Sequence, residues 1–151
     1  MASDSTNNLS LKIWQALVPI TSVRVFSKGA RLFQQGRPAE GVYVVEQGEV
    51  KVFLSSQKPA KPFEIAGPGA VLGLSESVSG RDYKVTAEAA AQTKVSYIER
   101  QKLMAFLHNH CDICMEIVRL LSEDLHVLYH KFRTINGSNA RNRKKSLRNV
   151  N

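Results

Sequence analysis

The sequence predicts a mainly β domain with flanking helices: a double-stranded β-helix, or jelly-roll barrel, of about eight short strands. Three observations predict it. Short runs of alternating apolar and polar residues, rich in β-branched and aromatic side chains, recur between residues 23 and 98. Glycine and proline punctuate those runs where a chain must turn. On either side of the runs the apolar residues switch to helical spacing.

Residues 1–8 are small and polar and are expected to be disordered. From Leu9 onward, Leu9, Ile13, Trp14, Leu17 and Val18 follow one helical face, and Pro19 stops it. Four strand-like runs follow, VRVF, ARLF, GVYVVEQ and EVKVFL, separated by Gly29, by the turn from Gly36 to Gly41, and by Gly48. The polar, proline-containing loop SSQKPAKP leads to a further run, FEIA, and TKVSYI reads as the closing strand.

Between these last two runs lies the stretch around which the chain is organised, GPGAVLGLSESVSGRDYKVTAEA. Pro68 and Gly69 mark a turn, Gly73 permits a tight bend, and the small polar residues after Leu74 suit a helix start. Arg81, Asp82 and Tyr83 then lead into a strand. Two readings stand side by side. One is a phosphate pocket, with backbone N–H groups cradling an anion beside a cationic strand start; the other is a surface crossover of a β-barrel.

After the barrel, a helix is expected over 99–108 with Leu103, Met104, Phe106 and Leu107 inward, then a break near Asn109. A longer helix over about 112–134 leads a row of Ile117, Leu121, Leu125, Leu128, Phe132 and Ile135 at spacings of four, four, three, four and three. That heptad-like seam predicts a homodimer, with Val118 and Leu120 widening the stripe toward the barrel. The alternative is a helix folded back on its own barrel. Gly137 is placed to end it. The expected organisation is therefore a disordered 1–8, a domain over 9–135 (barrel about 22–98, C-terminal helices about 99–135), and a basic flexible tail over 136–151.

Charge is unevenly placed. The 151 residues carry a formal net charge of +8, yet from Lys131 onward Lys131, Arg133, Arg141, Arg143, Lys144, Lys145 and Arg148 face no acidic residue. Arg141, Arg143, Lys144, Lys145 and Arg148 are the candidates for weak nucleic-acid contact without sequence preference. A merely solubilising tail is the competing reading. The N-terminus carries neither a basic start nor an apolar run, and no stretch reaches the ~20 apolar residues of a membrane helix. A cytoplasmic protein without a membrane partner is expected.

Enzyme chemistry finds little purchase. Cys111 and Cys114, flanked by His108 and His110, form a CxxC without a second ligand pair, and read as small buried hydrophobes. His126 and His130 lack a fixed third metal ligand. A cupin-type metalloenzyme needs histidines inside its barrel, and all four here lie after the strands. No catalytic residue, metal or cofactor is assigned.

The order of these residues resembles the cyclic-nucleotide-binding-domain superfamily, which includes the Crp/Fnr regulators. Gly29, the Gly36 turn with Pro38 and Ala39, Tyr43-Val44-Val45 and Gly48-Glu49-Val50 fall in that family's order, and the likeness covers roughly residues 12–135. By the same resemblance Trp14 packs its helix against the barrel. The central stretch resembles the family's phosphate-binding cassette, with Gly73, Val85, Thr86, Ala87 and Ala89 at matching positions. Leu74 stands where the family's ribose-binding Glu is, and Tyr83 where its phosphate-binding Arg is.

The resemblance implies a ligand site at Gly73, Leu74, Ser75, Arg81, Asp82, Tyr83 and Thr86, for a cyclic nucleotide or another small effector. Losing two charge-assisted contacts implies cAMP and cGMP binding weaker by about two to four orders of magnitude. On an extended strand Arg81 shares a face with Tyr83 and is the one candidate to compensate. The expected function is a stand-alone regulatory sensor domain lacking the helix-turn-helix of Crp/Fnr regulators, acting on a protein partner through its helices. The alternative is a ligand-free dimerising interaction module.

Overall fold

The computed structural model describes residues 10–56 and 61–122. Helix α1 (Leu11–Leu17) begins where the Ser10 hydroxyl accepts the Ile13 N–H, and a 3-10 turn (Val18–Ile20) containing Pro19 ends it. Eight strands follow: β1 (Ser22–Phe26), β2 (Arg31–Phe33), β3 (Gly41–Gln47), β4 (Val50–Phe53), β5 (Glu64–Ala66), β6 (Val71–Leu72), β7 (Thr86–Ala89) and β8 (Thr93–Glu99). Helix α2 (Leu74–Ser79) interrupts the strands, α3 (Arg100–Asn109) follows them, and residues 111–122 form a further helix, α4.

The strands form two four-stranded antiparallel sheets, in the orders β1-β8-β3-β6 and β2-β7-β4-β5. Mainly β with flanking helices is thus the architecture. No strand pairing closes the two sheets into one barrel among the described residues. The two-residue β6 lies inside the stretch that the sequence reads as turn and helix. Val71 and Leu72 are too short a run to show alternation, and they are strand only because β3 pairs with them.

Period-two alternation sorts the side chains into two cores. Tyr43, Val45, Val95 and Tyr97 from the first sheet meet Phe33, Val50, Val52 and Ala87 from the second. The intervening residues of the first sheet, Val42, Val44 and Ile98, carry the helices, through Ile13, Leu17, Leu103, Leu107, Ile113 and Ile117. Trp14 packs partly buried against this second core.

Several expectations change here. Ile117, placed in a dimer seam, is 1% exposed within its own protomer, because α4 lies back on the helices and sheet that carry it. Leu121 is partly buried against the same core, whereas Val118, expected to face the barrel, is exposed. Cys111 is exposed and Cys114 only half-buried. The break at His110 rotates α4 so that Ile113 and Ile117 point inward instead. Of the four inward residues assigned to α3, Leu103 and Leu107 are buried, and Met104 and Phe106 are partly so. Leu125, Leu128, Phe132 and Ile135, the segment 1–8 expected to be disordered and the tail expected over 136–151 with Arg141, Arg143, Lys144, Lys145 and Arg148 lie outside the described residues.

Candidate functional site

The cassette begins at Gly73, whose φ of +81° caps α2 in the left-handed region. A Cβ there would sit 2.9 Å from Tyr83 Cε1 and 3.1 Å from the Gly41 carbonyl, so glycine also makes room for the tyrosine ring. Helix α2 ends at Gly80, again left-handed at φ +71°. The Arg81 N–H then returns to the Glu76 carbonyl at 3.0 Å.

Residues 81–85 are not a regular strand, because β7 starts only at Thr86. An isolated bridge pairs Asp82 with Pro38 instead, and the Tyr83 N–H donates to the Arg37 carbonyl at 2.9 Å. Arg81 and Tyr83 thus flank a single bridge residue instead of lying within β7. Arg81 is exposed, as are Ser75 and Asp82, while Tyr83 turns inward.

Tyr83 is the centre of the site. Its ring stacks on Phe33, with centroids 4.1 Å apart and planes 18° from parallel. Its hydroxyl donates to the Gly41 carbonyl at 2.7 Å and accepts from the N–H groups of Gly41 at 3.1 Å and Glu40 at 3.2 Å. Every hydrogen-bonding position of the phenol is used. Two backbone amides that converge on one point are an anion cradle in kind, and here the protein's own phenol fills it.

Two further tyrosines repeat the pattern. Tyr43 donates to the Leu32 carbonyl and Tyr97 to the Glu40 carbonyl, each at 3.0 Å. The rings continue from Phe33 through Tyr43 to Tyr97, on which the Arg24 guanidinium lies at 3.6 Å. Burial pushes all three phenols above the ordinary tyrosine range. The amides of Gly41 and Glu40 partly oppose this at Tyr83, and Arg24 does so at Tyr97.

The other sequence-assigned residues are dispersed. Leu74 packs under the helices with Leu103 and Ile13, in a different core from Tyr83. Thr86 is buried, accepting from the Gln35 N–H at 3.0 Å and donating to the Ser55 hydroxyl at 3.2 Å. Only Gly73 and Tyr83 of the seven are held against each other. Glu76, on α2, has its carboxyl pushed above the usual carboxylate range by burial, with Lys84 opposing.

Arg100 was not legible as a site residue. Its backbone N–H donates to the Glu40 carbonyl and its side-chain Nε to the Ser77 carbonyl, both at 2.8 Å, so one residue ties α2 and the β2–β3 connection to the start of α3. A lone arginine after a strand carries no signal of such a role. Beside this joint a cleft of about 420 Å³ opens between Arg24, Glu99 and Arg100. A smaller pocket of about 250 Å³ lies behind the β2–β3 connection, with Leu32, Phe33, Tyr43 and Tyr83 as its floor and Arg37 and Glu40 at its rim.

The family model for the cyclic nucleotide-binding domain matches residues 23–110, more than half of the chain, and spans both sheets, the cassette and α3. The chain belongs to the cyclic nucleotide-binding domain family.

Similar solved structures agree on the fold of this cyclic nucleotide-binding domain. The catabolite activator protein of Thermus thermophilus superposes with a TM-score of 0.73 at 20% identity, over 89% of this chain and 64% of that one. The N-terminal domain of a transcriptional regulator from Streptomyces coelicolor A3(2) gives 0.69 at 21%, over 80% and 86%. The sensor domain of the transcriptional regulator DNR from Pseudomonas aeruginosa gives 0.66 at 22%, over 81% and 83%. The chain thus spans less than two thirds of the Thermus protein and most of the two isolated domains. Comparison with curated proteins gives no match. No helix among the described residues is long and apolar enough to cross a membrane.

Proposed function

We propose that this domain is a regulatory sensor module whose cassette binds cAMP and cGMP weakly or not at all. One observation carries the reading: a buried, fully hydrogen-bonded Tyr83 occupies the position at which the family's cassette presents an arginine. A phenol raised above its ordinary range supplies no positive charge for a cyclic phosphate. Leu74, at the position of the ribose-binding glutamate, accepts no hydrogen bond from a sugar. Arg81 is exposed while Tyr83 is buried, so Arg81 does not take the place of the missing cation in this reading.

Output in this reading runs through the helices after the sheets. Arg100 joins the cassette helix to α3, and a homodimer through Leu121, Leu125, Leu128, Phe132 and Ile135 passes the change to a protein partner. Arg141, Arg143, Lys144, Lys145 and Arg148 supply weak, salt-sensitive contact with polyanions. Thermal denaturation tests the nucleotide claim. A ligand present at 100 times its Kd raises stability by about 2.7 kcal/mol, so a flat Tm in millimolar cAMP or cGMP is the expected outcome.

The second reading is a dimerising interaction module with no small-molecule ligand. The continuous row of rings from Phe33 to Tyr97 favours it, because the protein's own side chains occupy much of the space between the sheets. Sedimentation equilibrium addresses the assembly shared by both readings. Leu125→Asp with Leu128→Asp is expected to give monomers, and a wild type that is monomeric at tens of micromolar would remove the dimer.

A further inference from the structure

We infer that the 250 Å³ pocket behind the β2–β3 connection is an effector site of its own, and that it takes a small zwitterion with an apolar side chain, the chemistry of a free α-amino acid. Size argues first. The volume falls below the roughly 300–1,000 Å³ of pockets that hold drug-sized ligands, which leaves room for a small metabolite and too little for a nucleotide.

Chemistry argues second. The floor is Leu32 and the rings of Phe33, Tyr43 and Tyr83, whose phenol hydroxyls are already bonded to backbone. The floor therefore offers apolar contact, and Gln34 and Pro38 complete the lining beside the two charges. Arg37 and Glu40 share the rim, and neither forms an ion pair with the other or with any other described residue. Two opposite charges on one rim that do not meet are bridged by a molecule carrying both. A plain anion would face Glu40, and a plain cation would face Arg37.

Position argues third. The Glu40 main chain accepts from Tyr97 and from the Arg100 N–H, and its own N–H donates to Tyr83. An occupant held by the Glu40 carboxylate thus pulls on the segment that links the cassette to α3. The pocket shares Tyr83 with the cassette, but the inference does not rest on how the cassette treats cyclic nucleotides. A nucleotide that binds leaves it standing, and amino acids that fail leave the cassette reading standing.

The test is titration of the full chain with L-leucine, L-methionine and L-phenylalanine, followed by calorimetry and by amide NMR shifts. At least one is expected to bind saturably and to shift the amides of Glu40 and Gly41. Its N-acetyl and carboxamide forms, each lacking one charge, are expected to bind about tenfold more weakly or worse. In Arg37→Gln the cost of amidating the ligand should vanish, and in Glu40→Gln the cost of acetylating it should vanish. Both residues are exposed, so both variants are expected to keep the wild-type amide spectrum elsewhere. No saturable binding by any of the three up to about 10 mM, equal binding of the blocked forms, or indifference to both substitutions overturns the inference.

Discussion

The Tyr83 hydroxyl lies 2.7 Å from the Gly41 carbonyl and 3.1 Å from the Gly41 N–H, so a residue of the cassette closes both backbone positions of the first residue in β3. Tyr83→Phe keeps the stack on Phe33 and removes those bonds. Leaving buried backbone groups unpaired costs about 1–3 kcal/mol, and urea denaturation should show a loss in that range. A change within error would mean that the phenol does not hold the turn.

Gly73→Ala strains the same contact from the other side. A left-handed φ costs an alanine about 1–2 kcal/mol, and its Cβ would press on the Tyr83 ring. The variant should lose at least that much stability and shift the near-ultraviolet tyrosine signal. Unchanged tyrosine dichroism would argue against the packing between Gly73 and Tyr83.

Ser77 offers a prediction of opposite sign. Its hydroxyl is fully buried without a hydrogen-bond partner among the described residues. Ser77→Ala is expected to raise the unfolding free energy by on the order of 1 kcal/mol, because a desolvated orphan is removed. A loss of stability would reveal a partner for that hydroxyl.

Glu76 gives a pH dependence. Its folded carboxyl value is raised above the ordinary 4.5, so folding favours the protonated form. The stability it contributes is full below the ordinary value and is lost as pH rises through the raised one. Glu76→Gln should therefore be more stable than wild type at pH 7, with the advantage shrinking as pH falls through the raised value and gone below about pH 4.5. Parallel stability curves across that window would contradict the burial of the carboxylate.

Ile117 separates the two roles of α4. Truncation to alanine in a core costs about 2–5 kcal/mol, and here the core belongs to one protomer. The loss should be independent of protein concentration. A loss that disappears on concentrating the protein would return Ile117 to an interface between copies.

Much of the fold was legible because local chemistry enforces it. Alternation in GVYVVEQ and TKVSYI placed β3 and β8, and Pro19 marked the end of α1, whereas its cap at Ser10 went unread. The residue types at Leu74 and Tyr83 marked the cassette as altered. What the sequence does not encode is which way an irregular segment turns. Residues 81–83 read as the start of β7, but they pair with residues 37–39 through one isolated bridge, with Tyr83 buried and Arg81 exposed. The hydroxyl cradle at Glu40 and Gly41 and the joint at Arg100 depend on backbone groups forty or more and twenty or more residues away, respectively, and main-chain partners leave no trace in side-chain identity. The orientation of α4 was missed for a related reason: one residue at His110 resets the helical phase, and periodicity cannot count through a break.

The central claim is that Tyr83 closes the cassette to cyclic nucleotides. Isothermal titration calorimetry of the full chain with cAMP and with cGMP, carried to about millimolar ligand, tests it most directly. The account predicts no saturable heat, or a Kd of about a millimolar or weaker. A Kd in the low micromolar range or below for either nucleotide would contradict it.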